Sequence, residues 1–368
     1  MGDEMKTIAR GSRPGSKGTR SAATIAAVFV LGLTSAACGG SSPNTPSTTD
    51  PNKVIKVTFQ PATESLAVLT QLNAFAGGYF DKEKLDLTYN PVISNAAQAA
   101  QSVTNGSADI AIVGSTGVVA GVAARRDLVT VAVITKGPTT QITLRNDVIK
   151  RLGIDVSAPL ATRMKALKGL KLALPQPGST TDVAVRQALK LNGLDPDKDL
   201  TIRPITDPSA LVTAAREGQV DGFGFSPPTS VQPVAAGYGA VWVTLSDIPQ
   251  LKRLPWIDVV TSKAYLKNNR EAVTRFVRAL YKSSEDLKAR PDEARTKIKA
   301  KYFPDLNQKV YDLAYDLSLP TATQGIEPEP SAVPVLMSTV NANLDTKIDV
   351  TAAQLYDTSV LADAKKKS

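Results

Sequence analysis

The sequence predicts an α/β protein of two lobes followed by a helical C-terminal stretch. Three observations carry that reading. From residue 53 onward, short apolar segments that suit strands alternate with segments of helical spacing, the pattern of βαβ units around a parallel sheet. Several of these strands, among them 109–113 (DIAIV) and 128–135, are almost wholly apolar, as strands covered on both faces must be. After about residue 270 the strand signal stops and only helical periodicity remains.

Residues 54–59 alternate as a strand, with turn residues behind them. Leu66, Leu69, Leu72 and Phe75 recur at three-residue steps and place a helix over 65–75. A strand at 85–92, a helix at 96–103, the strand 109–113 ending in Gly114, a helix at 117–124 and a strand at 128–135 complete the first series. The second series repeats this architecture without repeating residues. It runs strand 141–144, helix 160–167, strand 171–174, helix 180–191, strand 201–205, helix 209–217, strand 221–225, a helix through 232–236 and strand 240–245. One more strand is expected at 257–261, and then helices at 270–289, 291–302, 308–317 and about 331–344.

Ahead of this body, Lys6, Arg10, Arg13, Lys17 and Arg20 precede an apolar run that ends in Ser35-Ala36-Ala37-Cys38. Basic n-region, short h-region and small-residue cleavage site together read as a secretory signal over 1–37. The h-region is shorter than the ~20 apolar residues that span a bilayer. Cys38 resembles the lipidated cysteine of a bacterial lipobox, although Ser35 stands where leucine is commoner. Residues 38–52 (CGGSSPNTPSTTDPN) are small, polar or proline, a composition that makes a flexible linker. The expectation is a protein exported and tethered by lipid to the outer face of a membrane.

Composition removes most catalytic chemistry. Residues 1–37 hold five basic and two acidic groups, so the remainder carries 38 against 32, a net of +6 that is modest and scattered. Lys365-Lys366-Lys367 is the one dense basic run and reads as a solvated end, so no nucleic-acid partner is expected. The chain has no histidine and only one cysteine. Histidine-based triads, internal disulfides and the usual N/S metal sites are therefore excluded. No glycine-rich phosphate loop is present either, and no cofactor is expected.

Ligands of open α/β sheets bind beyond the carboxyl ends of strands, where helix N-termini offer unpaired N–H groups. Four such places can be found. After the first strand, Thr63, Glu64 and Ser65 either face a cleft or, for Thr63 and Ser65, cap the next helix. Glu64 would suit an amine or pyrimidine if it faced the cleft, and is otherwise a surface group at a helix start. After 109–113, the sequence Gly114-Ser115-Thr116-Gly117 offers Ser115 and Thr116 hydroxyls on a backbone that a solute could approach, or a capped turn. Gly178, Ser179 and Thr180 open the 180–191 helix, where Ser179 and Asp182 have capping-box spacing and Asp182 opposes an anion unless it turns aside. After 221–225 come Ser226, Pro227 and Thr229, a rigid wall or simply a helix start. Trp256 either stacks on a solute or belongs to the core.

Residues 75–87 (FAGGYFDKEKLDL) resemble a segment of the solute-binding proteins for ABC importers of the nitrate/sulfonate/taurine group, the NMT1-like family, which includes thiamine-precursor binders. Further similar segments follow in the family's order at 103–113 (VTNGSADIAIV), 167–173 (LKGLKLA), 191–195 (LNGLD) and 214–222 (AAREGQVDG), spanning 54–268 in all. The resemblance implies an α/β periplasmic-binding-protein type II fold, with two α/β lobes, two crossover strands and a solute clamped by hinge closure. It places lobe one at 53–136 plus 245–345, lobe two at 137–244, crossovers near 135–140 and 244–248, and a C-terminal tail at 346–368. It also implies a ligand contact in the 225–229 turn.

The function expected is capture of a small polar organic solute for import, as a monomer, with membrane permease subunits and a separate ATPase as partners. A membrane-anchored sensor or partner-binding lipoprotein is the rival on the same fold. An enzyme is not expected: the pyrimidine-synthesising relative of this family uses a histidine, and this chain has none.

Overall fold

Among the described residues, ten strands form where the sequence is apolar and β-branched, and they assemble into two five-stranded sheets. The computed structural model describes residues 52–61, 65–93, 95–342, 344 and 346–366. The expected signal, Cys38 and nearly all of the expected linker lie outside the described residues, as do Thr63 and Glu64.

The first sheet contains β1 (Ile55–Gln60), β2 (Leu85–Tyr89), β3 (Ile110–Gly114), β4 (Val129–Lys136) and β10 (Pro255–Thr261), in the order β2-β1-β3-β10-β4. The second contains β5 (Gln141–Arg145), β6 (Lys171–Leu174), β7 (Thr201–Pro204), β8 (Gly222–Phe225) and β9 (Gly239–Thr244), in the order β7-β6-β8-β5-β9. The chain passes from the first sheet to the second through 137–140 and returns through 245–254.

Neither sheet is purely parallel, which corrects the expectation drawn from βαβ alternation. β1 runs parallel to β2 and β3, and β6 runs parallel to β7 and β8. β10 lies antiparallel between β3 and β4, and β5 lies antiparallel between β8 and β9. The reason is topological. β5 and β10 are the first strands after each crossing, so no helical connection turns them to match their neighbours.

β4 stands at the sheet's edge, yet all eight of its residues are buried. A bare edge invites pairing with other chains, and here later parts of the chain cover it. Val133 N donates to Ile326 O at 2.9 Å, and Asp357 N donates to Thr130 O. The long helix Arg270–Ala289 closes the first sheet's other face, packing Phe276 onto Phe59 and Phe80 with ring centroids 5.3 and 4.8 Å apart.

Two further differences concern the C-terminus. Residues expected as a tail fold into Ala352–Leu355 and Ser359–Lys366, with Val360, Leu361 and Ala364 buried. Lys365 pairs with Glu327 rather than extending into solvent. The helix Val333–Asn341, expected with lobe one alone, shares an apolar cluster with Ala184 and Ala188 of the second sheet's helix Thr180–Leu191, and Lys190 Nζ donates to Ala342 O at 2.6 Å.

Candidate functional site

The turn after β3 meets the helix start after β6, one from each sheet, and the turn after β8 meets the first crossing. Two hydroxyl pairs mark these meetings. Thr116 Oγ1, from the turn after β3, lies 3.0 Å from Thr180 Oγ1 at the start of the helix after β6. Thr139 Oγ1, in the first crossing, lies 2.9 Å from Ser226 Oγ after β8. Each pair joins groups far apart in sequence, and no sequence pattern links them.

After β1, Gln60 is buried and its Nε2 donates to Pro61 O and Pro91 O. Ser65 has extended backbone and its Oγ accepts from Ala67 N, so it caps the short turn Leu66–Val68. That cap satisfies one of the orphan N–H groups at a helix start. It also occupies the Ser65 hydroxyl that was one of two sequence alternatives.

The turn after β3 divides its residues between two faces. Gly114 sits directly against the second sheet's helix, because a Cβ there would stand 3.0 Å from Thr180 Oγ1. Gly117 is small for another reason: a Cβ would lie 2.6 Å from the backbone carbon of Ala96, so this glycine lets the helices Ala96–Thr104 and Ser115–Ala123 pack closely. Thr116 points toward the second sheet's helix, as its Thr180 contact shows. Ser115 is buried and turns inward to the Asp258 carboxyl of β10.

Asp258 is a buried carboxyl with little compensation. It is 2 % exposed, and its Oδ1 finds no hydrogen-bond partner among the described residues. Burial pushes its carboxyl up to about 7, against a smaller opposing effect of the Ser115 hydroxyl. Tyr356, which bridges to Thr130 of β4, lies on the same side, and its hydroxyl is held above its ordinary range by burial and then by the charge of Asp258.

At the helix after β6, Ser179 Oγ accepts from Asp182 N, and Gly178 takes the left-handed φ of +79° that favours glycine. The Asp182 carboxylate accepts from Gly178 N at 3.0 Å, one residue before the position a capping box would use, and from Arg186 Nε at 2.9 Å. Asp182 is therefore turned back and paired. Thr180 remains at the helix start facing Thr116.

After β8, Pro227 and Thr229 are buried and Ser226 is half-buried. Ser230 Oγ donates to Gln141 Oε1 at 2.6 Å, and Thr143 Oγ1 donates to Ser230 O. Trp256 is buried in the apolar cluster with Leu251, Leu254 and Val260, the core alternative for that residue.

Thr139, Thr140 and Gln141 were missed by sequence reasoning. All three are buried, and Thr140 Oγ1 and Gln141 Nε2 have no partner among the described residues. The signal was a polar Thr-Thr-Gln run between two apolar strands, unusual in a segment this buried. Among the described residues, the four loops and the first crossing contribute one charged side chain, Asp182, and it is paired.

Residues 49–301 match the model of the NMT1-like family. This chain belongs to the NMT1-like family. No curated protein sequence matches the chain. Among solved structures, the fold is similar to an alkanesulfonate-binding protein SsuA from Xanthomonas axonopodis pv. citri bound to MOPS, at 16% identity and TM-score 0.62, covering 82% of this chain and 98% of that one. The aliphatic sulphonate binding protein SsuA of Escherichia coli is similar at 18% identity and TM-score 0.64, covering 82% and 97%. The nitrate-binding protein NrtA of Synechocystis PCC 6803 is similar at 15% identity and TM-score 0.61, covering 86% and 90%. These likenesses establish a periplasmic-binding fold for this NMT1-like chain. No helix among the described residues is long and apolar enough to cross a membrane.

Proposed function

We propose that this NMT1-like protein is the extracytoplasmic solute-binding component of an ABC importer, holding a small polar organic solute between its two sheets. The observation that carries the proposal is the meeting of uncharged hydroxyls from the two sheets, Thr116 with Thr180, together with a second hydroxyl pair, Thr139 with Ser226, where the first crossing enters the second sheet. A site built from both halves binds its solute most tightly when the halves are together, and that differential affinity is what drives closure. Gly178 and Ser179 adjoin Thr180 in the chain, Pro227 and Thr229 lie just after Ser226, and Thr140 and Gln141 follow Thr139; we place these six beside the solute. Family membership and the similarity to sulfonate- and nitrate-binding proteins support a sulfonate or nitrate-like anion, with a pyrimidine or amine precursor as the other class of solute.

The site performs no chemistry in this reading; a membrane permease and a separate ATPase carry out uptake. Cys38 carries the lipid that keeps the monomeric protein at the outer face of the membrane. Native mass spectrometry of the protein carrying Cys38→Ser, before and after unfolding, tests the assignment. A small molecule released on denaturation supports it and identifies the solute class. An empty protein whose melting temperature is unmoved by sulfonates, nitrate, pyrimidines and amines refutes it in favour of a partner-binding lipoprotein.

A further inference from the structure

The two chain crossings lie side by side and are bonded at both ends. Gly137 N donates to Leu254 O at 2.7 Å, and Leu245 N donates to Thr140 O at 3.0 Å. They can approach because residue 137 is glycine: its φ is +82°, and a Cβ would stand 2.8 Å from Lys252 O. A third segment, residues 324–329 between the helix Gln308–Ala322 and the turn Pro330–Ala332, binds the second crossing and the end of β4 from which the first crossing departs.

Two of its side chains each join Lys136, the last residue of β4 before the first crossing, to the second crossing. The Gln324 amide donates one hydrogen to Lys136 O at 2.9 Å and the other to Lys252 O at 3.1 Å. The Glu329 carboxylate accepts from Lys136 Nζ at 2.8 Å and from the Arg253 guanidinium through both its oxygens. Lys136 is 2 % exposed and also reaches Gln324 O at 3.3 Å. Burial raises the Glu329 carboxyl, but Arg253 and Lys136 together hold it below its ordinary range, so the pair network is charged at neutral pH. The segment is itself pinned to the first sheet, with Ile326 O accepting from Val133 N and Glu327 pairing with Lys365.

We propose that residues 324–329 clamp the two crossings to the first sheet and thereby set the axis of closure, with Gln324 and Glu329 as positioning residues. The idea rests on the solute-binding reading for its purpose, not for its geometry. The clamp holds Lys136, Gly137, Lys252 and Arg253 still. Bending is then confined to the far ends, 138–140 and 245–248, beside the Thr139–Ser226 pair. An axis placed there brings the two sheets together along one path, and a solute meets groups already in register.

The test uses the full chain with Cys38→Ser, which leaves no native cysteine, and spin labels on cysteines introduced at exposed Gln101 and Lys150, one beside each sheet. Electron–electron double resonance reads the distribution of distances between them without solute. Gln324→Ala is expected to widen that distribution at least twofold while the far-UV dichroism stays that of the parent. If Gln324→Ala does not fold, Glu329→Gln, which keeps the side chain's shape, is expected to widen it in the same direction. Unchanged widths in the folded variants overturn the clamp. Widening in a protein whose distance distribution no solute shifts would uphold the clamp and count against the solute-binding reading, so the two fail separately.

Discussion

Replacing Asp258 by Asn tests the physics of the buried cluster under β10. The carboxyl's ordinary value is 3.8 and burial pushes it up to about 7. The folded protein thus binds a proton more tightly than the unfolded chain between those two values, and stability falls as pH rises through that window. The contribution is fully present below about 4 and lost once pH passes about 7. At 1.36 kcal/mol per unit of pKa, the span is worth about 4 kcal/mol as a ceiling. Asn mimics the protonated acid and cannot ionise, so it avoids that loss. Its extra N–H donors cost about 1–3 kcal/mol if unmet. The expectation is a variant roughly 1–3 kcal/mol more stable than the parent at pH 9 and no more stable at pH 5. Urea midpoints at pH 5, 6, 7, 8 and 9 measure this directly. Parallel pH profiles for parent and variant would refute the assignment of Asp258 as the uncompensated group.

Three other outcomes follow from named contacts. Gly117→Ala drives a methyl to within 2.6 Å of the Ala96 backbone, so overpacking is expected to cost about 1–3 kcal/mol in urea midpoint; a neutral effect would mean the helix pair separates freely. Asp182→Ala removes the acceptor of Gly178 N and one partner of Arg186, with an expected loss of about 1–3 kcal/mol; an unchanged midpoint would show the turn needs no such tether. Cys38→Ser is expected to move the protein from the membrane fraction to the soluble fraction of an expressing cell, and retention at the membrane would contradict lipid attachment through that residue.

Burial periodicity made the elements readable because it is local. The strand over 171–174 and the helix over 180–191 are found where apolar spacing placed them, and β4 is buried on both faces as its largely apolar sequence suggested, with Thr130, Thr135 and Lys136 buried as well. Helices such as Asn146–Leu152 and Ser359–Lys366 escaped because their apolar faces are short and their partners distant. The site was legible only as positions at strand ends. Thr116 and Thr180 were named for their loops, yet nothing local says that they meet. The pattern Gly-Ser-Thr-Gly reads alike whether a glycine admits a solute or a neighbouring helix, and at Gly117 it is the helix.

By itself the sequence determined the α/β class, the absence of histidine chemistry, the single Cys38 behind its apolar run and the segments by which the family is known, because these depend on residue type and short-range spacing. Tertiary structure alone decided that β5 and β10 run antiparallel, that Ser115 turns to Asp258 while Thr116 turns to Thr180, and that Gln324 and Glu329 tie the end of β4 to the second crossing. Each of those outcomes depends on which distant backbone lies alongside, and that partner is chosen by the packing of the whole chain.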